Sequence, residues 1–250
     1  MNINKKIVEK QYLVPFIVIT CLFSLWGFAN DITNPMVAAF STIMEISNAK
    51  AALIQFAFYG GYATMAIPAA LFIKKFSYKK AILLGLGLYA TGAFLFYPSA
   101  KYEVFGFFLV SLYVLTFGLA FLETTANPFI LSMGDPETAT RRLNLAQSFN
   151  PVGSLLGMFV ASNVILTSLH SEARNNSGQL IFHSLATSEK AMIRTHDLAI
   201  IRDPYLMLGL AVLIMFLIVF LTKMPTHNTG KSNNRNKDTF RRLLTNPHYR

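Results

Sequence analysis

Long apolar runs separated by short polar segments dominate the chain. A helix that crosses a bilayer needs about 20 mostly apolar residues, and six runs meet that requirement. They predict membrane-spanning helices over residues 12–40, 52–73, 81–97, 105–133, 144–169 and 205–221. The first run is long enough to tilt or to break inside the membrane.

The composition indicates a lipid environment. Hydrophobic residues make up 53% of the chain, charged residues only 14%, and the mean hydropathy is +0.44. A soluble domain carries about 25% charged residues. The net charge of +10 does not indicate a nucleic-acid partner, because the Lys and Arg residues lie in short clusters between the apolar runs. We therefore predict an all-α membrane protein whose surroundings are the lipid bilayer.

The distribution of Lys and Arg predicts the orientation, because cytoplasmic loops of membrane proteins collect these residues. With a cytoplasmic N-terminus, 16 of the 22 fall on the cytoplasmic side. This predicts a multi-pass protein of the cell inner membrane with both termini in the cytoplasm. Residues 1–11 are then a cytoplasmic N-terminus, residues 12–223 a six-helix transmembrane unit, and residues 224–250 a polar cytoplasmic linker.

Two acidic residues, Asp31 and Glu123, fall inside apolar runs, and the other ten lie in connections or tails. An ionisable group in hydrocarbon is costly, so it normally faces a cavity or a partner and marks a pathway. No Lys or Arg lies within the predicted spans to neutralise either acid, and we interpret both as proton-coupling residues. Two alternatives stay open. Asp31 could cap a helix at the outer interface, and Glu123 could pair with a neighbouring polar side chain.

The sequence around the two acids is repeated. Asp31-Ile32-Thr33-Asn34-Pro35 in the first span matches Glu123-Thr124-Thr125-Ala126-Asn127-Pro128 in the fourth. Each Asn lies three or four positions after its acid, on the same helix face. Each Pro removes a backbone donor and is expected to break the helix. Gln55 and Gln147 follow the two motifs at similar distances. Spans one to three are thus predicted to be an inverted copy of spans four to six, with a transport site near the midplane.

Amide side chains near these motifs suit a sugar, because they donate and accept hydrogen bonds as sugar hydroxyls require. The candidate substrate-binding residues are Glu123, Gln147, Asn150, Asn127 and Asn34. Aromatic side chains could offer faces to a sugar ring, although in membrane helices they more often contact lipid or pack. These aromatic candidates are Trp26, Phe28, Tyr59 and Phe149.

Three segments resemble the major facilitator superfamily, specifically its L-fucose–proton symporter branch. They are the LETTANPF sequence at 122–129, the RLNLAQSFN sequence at 142–150, and residues 55–62 with the loop 76–79. The resemblance covers essentially the whole chain. It implies that Glu123 binds sugar and takes part in protonation, and that Gln147 and Asn150 line the sugar cavity.

The chain departs from that family in two respects. Aligned without gaps, the family's first-helix acid falls on Asn34, and Asp31 lies one turn away, so either residue could take that role. Members of the family have twelve helices in two halves. The chain therefore resembles an N-terminal half, produced by truncation or by a split gene, with a second half that could be encoded separately.

The leading hypothesis is sugar–cation symport across the inner membrane, most simply of L-fucose with H⁺. The alternatives are a related hexose transporter for glucose or galactose, and a truncated membrane protein that does not transport. An enzyme is disfavoured because the spans contain no metal-ligand cluster, nucleophile–base pair or phosphate loop. We predict no cofactor and no metal, with all histidines in loops or the tail: His170, His183, His196, His227 and His248.

The charge distribution generates a prediction about topology. Reporter fusions after Lys80 and Lys223 should report a cytoplasmic location, and a fusion at Ser184 should report the outer side, because positive loops are retained in the cytoplasm. Paired fusions to alkaline phosphatase and green fluorescent protein measure this. A cytoplasmic signal at Ser184 would contradict the six-span arrangement.

Overall fold

The computed structural model describes residues 6–222 and 224, and this part of the chain is helical apart from its connections. Six helical segments within it are long and apolar enough to cross a membrane, which confirms the predicted number of spans. Most of the predicted linker 224–250 lies outside the described residues. The segments are called spans 1 to 6 below: Lys10–Ile43, Asn48–Lys75, Tyr78–Tyr102, Phe105–Leu131, Pro136–Ser168 and Thr187–Leu221.

The connections between the spans lie at two opposite ends of the bundle. Connections 76–77 and 132–135 form what we call the basic end, because clusters of Lys and Arg flank them. Connections 44–47, 103–104 and 169–186 form the loop end. Span 4 is the most enclosed helix, with 61% of its apolar window buried, whereas spans 2, 5 and 6 have 22–28% buried. Span 4 therefore occupies the centre of the bundle, and the other three lie at its surface.

Span 6 begins earlier than the sequence predicted. Its helix runs over Thr187–Leu221 rather than from residue 205, so the predicted loop up to Pro204 is largely helix and His196 lies in a helix, not in a loop. The carboxylate of Glu189 accepts a hydrogen bond of 3.1 Å from the Ala186 backbone N–H and caps this start. The prediction failed because the added turns carry many charges and extend past the apolar window.

Spans 3 and 5 are also longer than predicted. Span 3 consists of the helices Tyr78–Phe94 and Phe96–Tyr102, and the Ser77 hydroxyl caps its first turn by accepting from the Lys80 N–H at 3.3 Å. Span 5 begins with the helix Ala139–Gln147 and continues as Phe149–Val160, followed by a π-helical turn at Ala161–Ile165. The prediction followed the apolar runs and missed the beginnings of spans 3 and 5, because the first turns of both spans are polar.

The two repeated prolines behave differently. Span 1 is interrupted at Asn34 and Pro35, between the helices Leu13–Thr33 and Met36–Ile43, as predicted. The expected break at Pro128 was wrong, because span 4 continues through it as one helix, Phe105–Leu131. Next to this proline, the Asn127 side-chain amide donates to the Glu123 carbonyl, one turn earlier in the helix, at 3.3 Å.

The helices pair in a pattern that fits a three-plus-three repeat, in which spans 1–3 correspond to spans 4–6. Span 1 packs against span 5, and span 4 packs against span 2. Exchanging spans 1 and 4, and spans 2 and 5, converts one pair into the other. Spans 3 and 6 also pack against each other, and this pair is its own image under the exchange. The first helix of each three-helix unit thus packs against the second helix of the other unit.

Glycines allow the closest of these helix contacts. A Cβ placed on Gly153 of span 5 would overlap the Ser24 backbone carbonyl of span 1, and one on Gly118 of span 4 would overlap the backbone of span 3 at Gly85 and Tyr89. Small residues at membrane helix interfaces let backbones approach and gain van der Waals contact, which replaces the hydrophobic drive available in water.

Cations from neighbouring spans cap the C-terminal ends of helices. Arg142 was counted as a loop charge, but the structure buries it completely. Its guanidinium donates to the backbone carbonyls of Ile130 and Leu131 at the end of span 4, at 3.2 and 3.0 Å. It also donates to the carbonyls of Ile7 and Asp135 and to the Thr138 hydroxyl. Positive charge at a helix C-terminus is favoured by the helix dipole as well as by these bonds.

Two further spans end in the same way. Lys79 donates to the carbonyls of Phe220 and Thr222 at the end of span 6, both at 2.8 Å. At the loop end, Arg194 donates to the Ile43 carbonyl, the last of span 1, at 2.9 Å. Lys190 and Arg194 also pair with Glu45, and the Lys190 hydrogen bond with these two charges lowers the pKa of Glu45 below its ordinary value.

The contact between spans 1 and 5 generates a prediction. Gly153→Ala should destabilise the protein by roughly 1–3 kcal/mol, because the added methyl overlaps a backbone carbonyl and forces the helices apart. Thermal denaturation of the purified full chain in detergent measures this. The matched control is Gly106→Ala, where nothing lies within 4 Å of the added Cβ. Equal stability of both variants would contradict the tight approach of spans 1 and 5.

Candidate functional site

A cavity of about 310 Å³ lies between spans 2 and 4. Tyr62 and Ala66 of span 2 form one wall. The other wall is one face of span 4, where residues spaced by three or four positions lie side by side. Its lining residues are Ala120, Glu123, Thr124 and Asn127. The alanines leave space, so the cavity is open in front of the polar side chains.

Glu123 supplies the only carboxylate among the residues that line this cavity. The side chain is half-buried, on the most enclosed span. Within the described residues its carboxylate has no hydrogen bond and no ion pair. Both oxygens can therefore accept a ligand hydroxyl or a proton, which is the chemistry expected of a solute- and proton-binding acid in a membrane.

Asn127 and Gln147 extend the polar surface from the cavity toward span 5. Gln147 donates from its side-chain nitrogen to the Asn127 side-chain oxygen at 3.0 Å. Gln147 does not line the cavity itself, and its side chain is exposed. The structure thus brings together three of the sequence-predicted site residues, Glu123, Asn127 and Gln147, on spans 4 and 5.

Asn150 has a different environment. Its side-chain nitrogen donates to the Phe23 backbone carbonyl of span 1 at 3.2 Å, beside the close contact of Gly27 with span 5. In this conformation Asn150 joins two helices and does not line the cavity. Its contact with sugar stays a prediction.

Asp31 and Asn34 lie outside the cavity lining. They contact each other, with the Asn34 amide donating to the Asp31 carboxylate at 3.0 Å. Their shared helix face agrees with the spacing argument, and the break of span 1 follows immediately at Pro35. The structure does not bring this pair into the cavity with Glu123, and the proton-coupling role of Asp31 stays a prediction.

Sequence analysis missed Tyr62. Tyr62 lines the cavity, and its buried hydroxyl interacts with the side chain of Trp26. Neither the Tyr62 hydroxyl nor the Trp26 indole nitrogen has another hydrogen-bond partner within the described residues. Buried polar groups are nearly always hydrogen-bonded, so the two side chains depend on each other or on a bound water. The available signal was weak: Tyr62 lies seven positions after Gln55, two helical turns along the same face.

The other aromatic candidates are not part of the cavity wall. Tyr59 is 60% exposed and Phe149 is 44% exposed in the isolated chain. Phe28 lies where span 1 meets Gly157 of span 5. Of the aromatic side chains named from sequence, Trp26 has a buried indole nitrogen, which lies by the Tyr62 side chain.

Comparison with known proteins decides the family. The model of the Major Facilitator Superfamily matches residues 19–249, which is most of the chain. The chain belongs to the major facilitator superfamily. Other members of this superfamily are similar along its length, and the ones reported below are transporters by name.

Two relatives and one solved structure describe the similarity. The L-fucose-proton symporter of Haemophilus influenzae is 68% identical over 222 residues, covering 89% of this chain and 52% of the relative. The glucose/galactose transporter of Brucella abortus is 32% identical over 217 residues, covering 87% and 48%. The crystal structure of FucP, a Major Facilitator Superfamily transporter in an outward conformation, superimposes with a TM-score of 0.79 at 32% identity, covering 96% of this chain and 57% of that one.

This superfamily member thus spans about half the length of the relatives it matches. The match to the outward-facing structure supports the six-helix arrangement as one half of the major facilitator fold.

Proposed function

We propose that the chain forms the N-terminal half of a sugar–cation symporter, and that its cargo is most simply L-fucose carried with H⁺. The observation that carries the proposal is the Glu123 carboxylate, which faces a cavity on the central span without any cation partner in the described residues. The substrate assignment rests on the 68% identity to the Haemophilus symporter.

The cavity chemistry suits a sugar. A volume of about 310 Å³ is at the small end of ligand pockets, which hold roughly 300–1,000 Å³. Glu123 accepts hydrogen bonds from sugar hydroxyls, Asn127 donates and accepts, and Tyr62 supplies a buried hydroxyl. Gln147 fixes the Asn127 amide from behind, and Asn150 and Asn34 are the further amides that we assign to the binding surface.

Coupling follows from the shared use of Glu123. A carboxyl that is protonated and hydrogen-bonds sugar makes sugar binding depend on proton binding, and by linkage the reverse holds. Asp31, or Asn34 in its place, is proposed as the second position in this coupling. Asp31 already interacts with Asn34 on a helix that breaks beside it, so protonation there would alter the local contacts of span 1.

The proposed location is the inner membrane, with the basic end and both termini in the cytoplasm and residues 224–250 as a linker. The charge count supports this orientation. The relatives contain about as many residues again as those matched here, and transporters of this class bind substrate between two halves that rock against each other. We therefore propose that activity requires a second six-helix unit.

Glucose or galactose is the second candidate cargo, because the Brucella relative is named for those sugars and matches 87% of the chain. Hexoses share the hydroxyl-rich chemistry that the cavity provides, so competition between labelled L-fucose and unlabelled glucose or galactose distinguishes them. A half that binds sugar and transports nothing is the remaining alternative.

Substitutions in the cavity test the proposed site, once a homologous second half is supplied. Glu123→Ala should abolish sugar-coupled proton uptake. Glu123→Gln should bind more sugar than Glu123→Ala does, because the amide keeps hydrogen bonds but cannot titrate. Tyr62→Phe should weaken sugar binding about 2- to 12-fold, the effect of one lost hydrogen bond. Binding to purified transporter and pH-electrode recordings measure these effects.

The control for these variants is Tyr97→Phe, which removes a hydroxyl from an exposed residue of span 3 outside the cavity. It should leave sugar binding unchanged. Wild-type proton uptake in Glu123→Ala would refute the assignment of the coupling carboxyl.

Expression of the chain alone tests the need for a second unit. We expect no concentrative uptake of labelled L-fucose in cells that lack their own permease, because only one wall of the substrate path is present. Co-expression with the second half of a homologous symporter should restore uptake that an uncoupler abolishes. Concentrative, uncoupler-sensitive uptake by the 250-residue chain alone would overturn this part of the proposal.

A further inference from the structure

Two histidines and an aspartate meet at the loop end, away from the cavity. His170 begins the short 3₁₀ turn His170–Glu172 in the connection that follows span 5. His196 and Asp197 lie in the early turns of span 6, the part that sequence analysis took for a loop. The cluster therefore depends on the longer helix that the structure revealed.

Asp197 is fully buried at this point. Its two carboxylate oxygens accept hydrogen bonds from the backbone N–H groups of His170 and Ser171, at 3.0 and 2.8 Å. These bonds fix the orientation of the carboxylate. Within the described residues no Lys or Arg pairs with it, and its one ion-pair contact is His196. A buried charge is normally paired or coordinates a metal.

The imidazoles complete a donor set around this carboxylate. The His196 Nδ1 atom lies 3.0 Å from the Asp197 Oδ1 atom. The His170 ring stacks on the His196 ring, with centroids 4.2 Å apart and an angle of 11° between the planes. Ligand atoms of all three residues lie within 4.8 Å of one another, and both histidines are exposed while the aspartate is buried.

We propose that His170, His196 and Asp197 bind a divalent transition-metal ion of the zinc type. Two imidazole nitrogens and one carboxylate oxygen are ligands that suit Zn²⁺, Ni²⁺ or Cu²⁺, whereas Ca²⁺ and Mg²⁺ prefer oxygen donors throughout. With metal–ligand bonds of about 2.0–2.1 Å, tetrahedral ligands lie about 3.3 Å apart. The distance of 3.0 Å between His196 Nδ1 and Asp197 Oδ1 is close to that spacing. The exposed His170 side chain would have to turn out of its stack on the His196 ring to direct a nitrogen at the same ion.

A buried serine lies next to the three ligands. Ser171 is fully buried, and its hydroxyl has no hydrogen-bond partner within the described residues. Its backbone N–H donates to the Asp197 carboxylate. A water bound to the ion as a fourth ligand is the kind of partner that such neighbouring hydroxyls take in other metal sites.

The bound ion would join the connection after span 5 to span 6. It would cross-link two of the least buried spans at one end of the bundle. Because a ligand that binds only the folded state stabilises it by mass action, Zn²⁺ should raise the melting temperature of the chain. The site stands apart from the sugar cavity and does not depend on the proposed transport function.

The test is Zn²⁺ binding to the full chain, which is purified with an affinity tag that contains no histidine. Bound metal is first removed with a chelator. A Cys21→Ser background removes the lone thiol, which is exposed. We expect one saturable site by competition with a zinc indicator and a higher melting temperature with Zn²⁺. His170→Ala and His196→Ala should each weaken this binding at least about tenfold. Excess Mg²⁺ or Ca²⁺ should not compete.

The matched control is His183→Ala, which removes a histidine from the same connection but outside the cluster. It should bind Zn²⁺ like the parent chain. Asp197→Asn is less informative alone, because the carboxylate also holds the turn at His170. Absence of saturable Zn²⁺ binding, or binding that His170→Ala and His196→Ala leave unchanged, would show that the cluster only caps the turn.

Discussion

Hydrocarbon offers no hydrogen-bond partners, so every backbone N–H and C=O of this bundle must find a partner inside the protein. The backbone groups inside each helix bond to one another, and the C-terminal ends of three spans bond to cations from neighbouring spans. Arg142 caps span 4, Lys79 caps span 6 and Arg194 caps span 1. Span 4 stays one helix through Pro128, which lies in its last turn, whereas span 1 is interrupted at Pro35.

The candidate site departs from this rule, because it contains a polar group that has no hydrogen-bond partner in the described residues. Glu123 presents its carboxylate to a cavity between spans 2 and 4 without a partner in the described residues, and the buried Tyr62 hydroxyl lies near it. Such groups are costly in a membrane interior unless a ligand, water or proton satisfies them. Around them the amides are already committed: Gln147 holds Asn127, and Asn150 holds the span 1 backbone. The Glu123 carboxylate is thus the free acceptor of this cavity in the described residues.

Much of this architecture could be predicted from sequence, because apolar runs of bilayer length and clustered Lys and Arg are strong local signals. Glu123 and Asn127 could be found because an acid in an apolar run stands out and the repeat marks both. The early turns of span 6 could not be predicted, because they carry as many charges as a loop does. Arg142 looks like its neighbour Arg141 in sequence, and only tertiary packing buries one of them. Tyr62 is one tyrosine among ten, and its buried hydroxyl is visible only in three dimensions.

The pairing of span 1 with span 5 has a consequence for biogenesis. Membrane helices enter the bilayer in the order in which the ribosome makes them. Span 1 contacts span 5 through backbone approaches at Gly27 and Gly153, yet more than a hundred residues separate the two glycines in the chain. The face of span 1 around Gly27 therefore has no span 5 partner until the fifth helix has been made.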